Sequence, residues 1–206
     1  MFFRQLPTKE ATLSYLFGCG SCHVAIAVDP VLGDEQWFID EAAKQDVKIT
    51  HVIDTHVHAD HYSGGRKLAE LTGAAYCLHE SNAGRVQFPF EALQDGQRIE
   101  VGNVYVDVLH TPGHTPDSVL YLIDGHAATG DTLFVGECGR VDLPESDPEA
   151  MYTSLLHRVV ALDDAVVVLP GHDYGPTPTS TIGREKRENY TLRPRTREEF
   201  LRFLAE

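Results

Sequence analysis

Thr55-His56-Val57-His58-Ala59-Asp60-His61, with Ser63-Gly64-Gly65 directly behind it, is the stretch on which the reading of this chain turns. Four side chains able to bind a metal fall within six residues. They follow an apolar run, Ile49 to Asp54, that reads as a buried strand with an abrupt exit. In extended backbone, residues two apart point the same way, so His56 and His58 can converge on one metal. Asp60 and His61, placed after the chain turns, can address a neighbouring position. Imidazole and carboxylate together suit zinc, iron or manganese. A polar loop of solvated histidines is the bland alternative, and the density of donors speaks against it.

The same event recurs along the chain. An alternating strand, Val104 to Leu109, breaks at Thr111-Pro112-Gly113 and delivers His114. A short strand, Ala127 to Thr129, ends at Gly130-Asp131, and an apolar one, Val166 to Leu169, is cut by Pro170-Gly171-His172. In a layered α/β fold, strand ends of this kind gather side chains at one rim. Seven donors suffice for two adjacent cations, one held by His56, His58 and His114 and the other by Asp60, His61 and His172. Asp131 could bridge them. Asp54 is either a partner that orients a ligand histidine or an ordinary turn residue. Histidines 23, 51, 79, 110, 126 and 157 sit in no comparable turn and are read as structural or surface residues, His110 least safely because it lies close to His114.

Size and charge narrow the partners. The 206 residues fit a single domain spanning 1–206, and the 42% apolar content is ordinary for a soluble protein. A net charge of −14, with scattered cations, disfavours nucleic acid and anionic membranes. The N-terminus lacks the long apolar core of a signal peptide and no run reaches membrane-spanning length, so a cytoplasmic protein is expected. Four cysteines do not suggest a disulfide scaffold. Cys19 and Cys22 have redox or metal-site spacing but lie between two strands, Leu13 to Phe17 and Val24 to Val28, and read first as a glycine-rich hairpin turn. Helices are expected over Glu35 to Gln45 (Trp37, Phe38 and Ala42 inward), Arg66 to Leu71 capped by Ser63, Pro148 to Leu162, Ile182 to Asn189 and Thr196 to Ala205. Gly64 and Gly65 should let the second of these start close to the metal loop. Cys138 is read as a thiol lining the site and Cys77 as core.

The ordered set His56-x-His58-x-Asp60-His61, Thr111-Pro112-Gly113-His114-Thr115, Gly130-Asp131 and Gly171-His172 resembles the metallo-β-lactamase superfamily over nearly the whole chain. The resemblance implies an α/β fold, an αββα sandwich of two mixed sheets flanked by helices, with the metals along one edge. Two branches compete. Ala59 in the His-Ala-Asp-His form, Leu169 to Tyr174, Ser180-Thr181-Ile182-Gly183 with Glu185-Lys186 and Asn189, and Cys138-Gly139-Arg140-Val141-Asp142 resemble the persulfide dioxygenases. A short tail is also expected of that branch. Gly130 to Phe134 and Cys138-Gly139-Arg140 are shared with the glyoxalase II-like hydrolases of glutathione thioesters. Tyr190-Thr191-Leu192 departs from the Pro-Arg-Leu that follows the signature asparagine in the animal dioxygenase, where the arginine helps hold glutathione.

The dioxygenase resemblance implies one Fe(II) per chain on His56, His114 and Asp131, with open positions for O₂ and glutathione persulfide or a related small persulfide. His58, Asp60, His61 and His172 then serve as hydrogen-bonding support around the iron, and Arg140 and Tyr174 contact the substrate. The hydrolase resemblance implies that all seven residues bind two Zn(II), or a mixture of Zn, Fe and Mn, activating a bridging water. The expected partners are therefore a small thiol-derived substrate and O₂, with neither nucleic acid nor membrane; a homodimer is compatible with the sequence. A non-catalytic scaffold would have lost a ligand, and all seven positions are intact.

Overall fold

The computed structural model describes residues 1–8 and 11–205. Its strands are β1 (Phe2–Pro7), β2 (Leu13–Cys19), β3 (Val24–Val28), β4 (Lys48–Ile53), β5 (Ala75–His79), β6 (Glu91–Leu93), β7 (Arg98–Val101), β8 (Val104–His110), β9 (Val119–Ile123), β10 (His126–Gly130), β11 (Val167–Pro170) and β12 (Ser180–Thr181). Its helices are α1 (Glu35–Lys44), α2 (Gly65–Thr72), α3 (Pro148–Thr153), α4 (Ile182–Glu188) and α5 (Arg197–Leu204). The strands form two mixed six-stranded sheets, ordered β1-β2-β3-β4-β5-β6 and β12-β11-β10-β9-β8-β7.

The period-two alternation of side chains explains the layering. Along β2, Tyr15 and Phe17 enter the core between the sheets, whereas Leu16 faces the layer that contains Phe38 of α1 and Leu68 of α2. Along β9, Val119, Tyr121 and Ile123 enter the same central core, whereas Leu120 faces Met151, Ile182 and Phe200 on the outer helices. Strands covered on both faces read as almost continuous apolar runs, which is why β3, β9 and β11 were visible in the sequence. Helices therefore flank two packed sheets, the αββα arrangement.

Several local expectations need correction. Strands β1, β6, β7 and β12 carry no strong apolar run; β7 exposes alternate residues, β6 exposes two of its three, and β12 has only two residues. The long helix expected from Pro148 to Leu162 starts as α-helix, with Asp147 capping it, but widens to a π-helical turn over Ser154–Arg158 and tightens to 3₁₀ over Val159–Ala161. Gly64, rather than Ser63, occupies the N-cap of α2; the Ser63 hydroxyl accepts from Gly65 N at 2.9 Å and donates to Asp54. Gly64 and Gly65 make room for the Val31 backbone and the Tyr76 ring rather than for the metal loop.

Direction determines where the strand ends collect. β3, β4 and β5 run parallel, as do β10 and β11, and β8 shares the direction of β10 because both oppose β9. The sheets are stitched at the edge bearing their C-terminal strand ends by Leu13 N donating to Gly171 O at 2.8 Å and Val119 N to Thr55 O at 2.8 Å. Two buried tyrosines brace the same edge: Tyr121 donates to Asp54 O at 2.9 Å and Tyr15 to Pro170 O at 2.6 Å. Each tyrosine keeps its ring in apolar surroundings while its hydroxyl satisfies a carbonyl where a strand turns away.

Candidate metal centre

His56 follows β4, His114 follows the turn after β8, and Asp131 follows β10. One donor atom from each lies within 4.8 Å of the other two, and all three residues are buried. The His56 and His114 rings stand at 90° with centroids 5.1 Å apart, and His114 Nε2 is 3.5 Å from Asp131 Oδ2.

The hydrogen bonds select the ligand tautomers. Thr55 Oγ1 donates to Asp29 Oδ2 at 3.0 Å, so its lone pairs accept from His56 Nδ1, also at 3.0 Å. His114 Nδ1 donates to Arg140 O at 2.9 Å. Each ring therefore keeps Nε2 as a bare acceptor turned into the centre, the arrangement a metal ligand requires. His56 Nε2 and Asp131 Oδ1 are buried and have no hydrogen-bond partner. Leaving such atoms unpaired costs about 1–3 kcal/mol each. Paired nitrogen and oxygen donors with bare lone pairs fit a divalent first-row cation.

A second group adjoins the first. His58, Asp60 and His61 bring donors within 4.8 Å of one another. Asp60 is clamped between His61 Nδ1 and His172 Nε2, each 3.2 Å away. His172 Nε2 is also 3.5 Å from Asp131 Oδ2, so this one oxygen faces His114 and His172 at equal distance. His58 stands between the two groups: its ring centroid lies 4.2 Å from that of His56 and 4.2 Å from that of His61. β4 ends at Ile53, and past it the Val57 N–H donates to the buried carboxylate of Asp117 at 2.7 Å.

Burial and charge bias protonation. Burial, then the neighbouring charges of His58 and His114, holds His56 well below the usual imidazole value, which favours the neutral, ligating form. Burial opposes a charge on His58, but Asp29 and Asp54 outweigh it and lift His58 to about 9. Hydrogen bonds from His172 and His61 hold Asp60 far below the carboxylate range. Burial raises Asp131, against the pull of His172 and His114. Burial likewise raises Asp54, to about 6. A bound dication would be the largest local charge and would override these preferences.

Two supporting carboxylates escaped the sequence reading. Asp29 accepts from Thr55 N at 2.6 Å and faces His58 Nε2 at 3.5 Å. Asp117 accepts from Val57 N and from Asn82 Nδ2, the latter at 3.0 Å. Asp29 did carry a signal: like Asp131, it ends an apolar strand, and it adopts a φ of +50°. Asp54 accepts from Ser63 Oγ and Tyr76 OH, each at 2.6 Å, and joins Asp29 and His58 in a third close group. None of histidines 23, 51, 79, 110, 126 and 157 joins a donor group among the described residues. His110 instead stacks on His79 at 3.9 Å.

The centre opens into a cavity of about 540 Å³ whose walls include Phe134, Cys138, Leu143, Arg140 and Tyr174. The Tyr174 ring lies parallel to His172, with centroids 4.7 Å apart, and remains mostly exposed. Arg140 donates from Nε and Nη2 to Asp142 at 2.6 and 2.8 Å. Cys138 is buried, which pushes its thiol up to about 12. No helix among the described residues is long and apolar enough to cross a membrane.

Residues 8–172 match the family model described as the metallo-beta-lactamase superfamily. The chain is 30% identical over 190 residues to the mitochondrial persulfide dioxygenase ETHE1 of Bos taurus, an alignment covering 91% of this chain and 72% of that protein. It is 36% identical over 174 residues to the hydroxyacylglutathione hydrolase of Anaeromyxobacter dehalogenans, covering 84% of this chain and 66% of the hydrolase. The crystal structure of ETHE1 from Myxococcus xanthus superposes with a TM-score of 0.94 at 36% identity, covering all of this chain and 91% of that one.

Proposed function

This chain belongs to the metallo-β-lactamase superfamily, and within it we propose an iron-dependent persulfide dioxygenase that oxidises glutathione persulfide, or a related small persulfide, to sulfite. The observation that carries the reading is the compact His56, His114 and Asp131 donor set, with Nε2 of His56 and Oδ1 of Asp131 bare. Two imidazoles and one carboxylate are the facial set of non-haem iron oxygenases. The near-complete superposition on the Myxococcus xanthus protein supports the same choice.

On this reading, His56, His114 and Asp131 hold one Fe(II), which when bound supplies O₂ activation and the redox steps at sulfur. The chain supplies orientation and access. Thr55 and the Arg140 carbonyl fix the two rings, so each presents Nε2 without searching for a tautomer. Asp60 accepts from His172 and keeps a proton at His172 Nε2, where it can stabilise an anionic sulfur in the cavity. Phe134 and Leu143 exclude water from the approach, and Arg140 and Tyr174 meet the thiol carrier at the mouth. The protein acts in the cytoplasm as a single domain over residues 1–206.

A second reading has specific support. Asp131 Oδ2 stands 3.5 Å from both His114 and His172, a position suited to bridging two cations, and His61 Nε2 is bare. That geometry supports a binuclear thioester hydrolase of the glyoxalase II type. Anaerobically iron-loaded protein, given glutathione persulfide with oxygen uptake recorded and S-lactoylglutathione hydrolysis followed in parallel, separates the two. The dioxygenase consumes oxygen and yields stoichiometric sulfite. Thioester hydrolysis without oxygen uptake would overturn the assignment.

A further inference from the structure

The edge of the molecule opposite the metal centre holds a second chemical feature. β2 and β3 are joined by the 3₁₀ turn Gly20–Cys22, with Cys19 at its N-cap and Cys22 as its last residue. The Ser21 hydroxyl is the group that both sulfurs share. Ser21 Oγ lies 3.3 Å from Cys19 Sγ and 3.9 Å from Cys22 Sγ. Cys19 is buried at the rim of the central core, whereas Cys22 is partly exposed.

The β7–β8 turn closes the site from the other sheet. A Cβ on Gly102 would fall 2.8 Å from Cys22 Sγ and 2.5 Å from its Cβ, so only glycine lets that turn lie against the thiol. No third metal donor joins the sulfurs among the described residues, which removes the reason to read the pair as a zinc site. The seven residues of β2 separate the pair from Gly171 beside the metal centre, roughly 20 Å at the usual rise of a strand.

We propose that Cys19 and Cys22 form a dithiol–disulfide redox centre, independent of the metal site, that exchanges with low-molecular-weight disulfides. The partly exposed Cys22 sulfur attacks one sulfur of the incoming disulfide; that S–S bond breaks, a mixed disulfide forms, and one thiol leaves with the Cys22 proton. Cys19, whose thiol the neighbouring Cys22 and Ser21 side chains lower to about 6, attacks Cys22 Sγ and releases the second thiol. The protein dithiol loses two electrons and two protons, and the external disulfide gains them. Cys77 and Cys138 take no part, because burial pushes both thiols up to about 12.

The test treats the full-length protein with excess oxidised glutathione, then counts free thiols and maps disulfides by peptide mass. The expected product has lost two hydrogens and two of its four free thiols, with Cys19 linked to Cys22. Cys19→Ser should instead retain glutathione on Cys22, and reduction with dithiothreitol should restore all four thiols. A wild-type protein that keeps four thiols, or that retains glutathione on Cys22 without closing the bond, would overturn the proposal. Gly102→Ala should slow closure at least tenfold while leaving the metal-centre reaction unchanged.

Discussion

Replacing Gly171 by alanine gives the sharpest test of how this centre is built. Gly171 sits between β11 and His172, and a Cβ at that position would lie 2.5 Å from Asp131 Oδ1. Ordinary contact begins at 3.4 Å, so the carboxylate would have to retreat by about 0.9 Å. The backbone of Gly130 blocks the other direction at 3.1 Å, and Gly171 N is itself tied to Gly130 O at 2.9 Å. The added methyl therefore acts mainly on the one side chain that faces both His114 and His172. A displacement near 1 Å costs on the order of 100-fold in rate where a reacting geometry must be held. Disturbed ligand support lowers metal affinity by about 10- to 100-fold. Metal affinity, measured by competition with a chromophoric chelator, and kcat/KM for oxygen uptake should both fall in that range, while the far-ultraviolet circular dichroism stays unchanged. Gly20→Ala is the control, since a Cβ there meets nothing within 4 Å. If Gly171→Ala keeps metal affinity and kcat/KM within threefold of the parent, Asp131 is not held by the packing described above.

Asp117→Ala removes the acceptor of Val57 N and Asn82 Nδ2; at about 1.5–3 kcal/mol for each hydrogen bond to a charged group, urea unfolding should show a loss of about 3–6 kcal/mol, and metal affinity should drop with it. Arg140→Ala should raise KM for an anionic persulfide with little change in kcat, a split that steady-state oxygen uptake resolves. Cys77 and Cys138, at about 12 against an ordinary 9, should resist iodoacetamide at pH 8 until the chain unfolds. Their pKa values are raised by folding, so between pH 9 and 12 the native chain keeps protons that the unfolded chain releases. Stability therefore falls as pH rises through that window, by at most about 1.4 kcal/mol per thiol per pH unit, readable from denaturation midpoints. Chelation of the loaded protein should lower the thermal midpoint, because a cation present at 100 times its dissociation constant contributes about 2.7 kcal/mol to the native state.

Much of this molecule was legible before any coordinates. Strands buried on both faces betray themselves as apolar runs, and Pro-Gly or Gly-Asp punctuation marks where they stop, so β4, β8, β10 and β11 and the residues after them could be read locally. The helices α1, α4 and α5 were visible for the same reason: caps and apolar spacing are short-range properties. Edge strands such as β6 and β7, half exposed and short, leave no comparable trace.

What required the tertiary structure was everything that depends on parts of the chain far apart in sequence. Asp29 reaches Thr55, Asp117 reaches Val57, and the Arg140 carbonyl reaches His114; these contacts select tautomers and bend the histidine loop. Asp29 and Asp54, from the ends of two different strands, likewise close on His58. Sequence alone supplied the inventory of donors, because ligand chemistry belongs to residue types. Which donors share a cation is a matter of distances near 3.5 Å, and only the packing of one sheet edge against the other sets those.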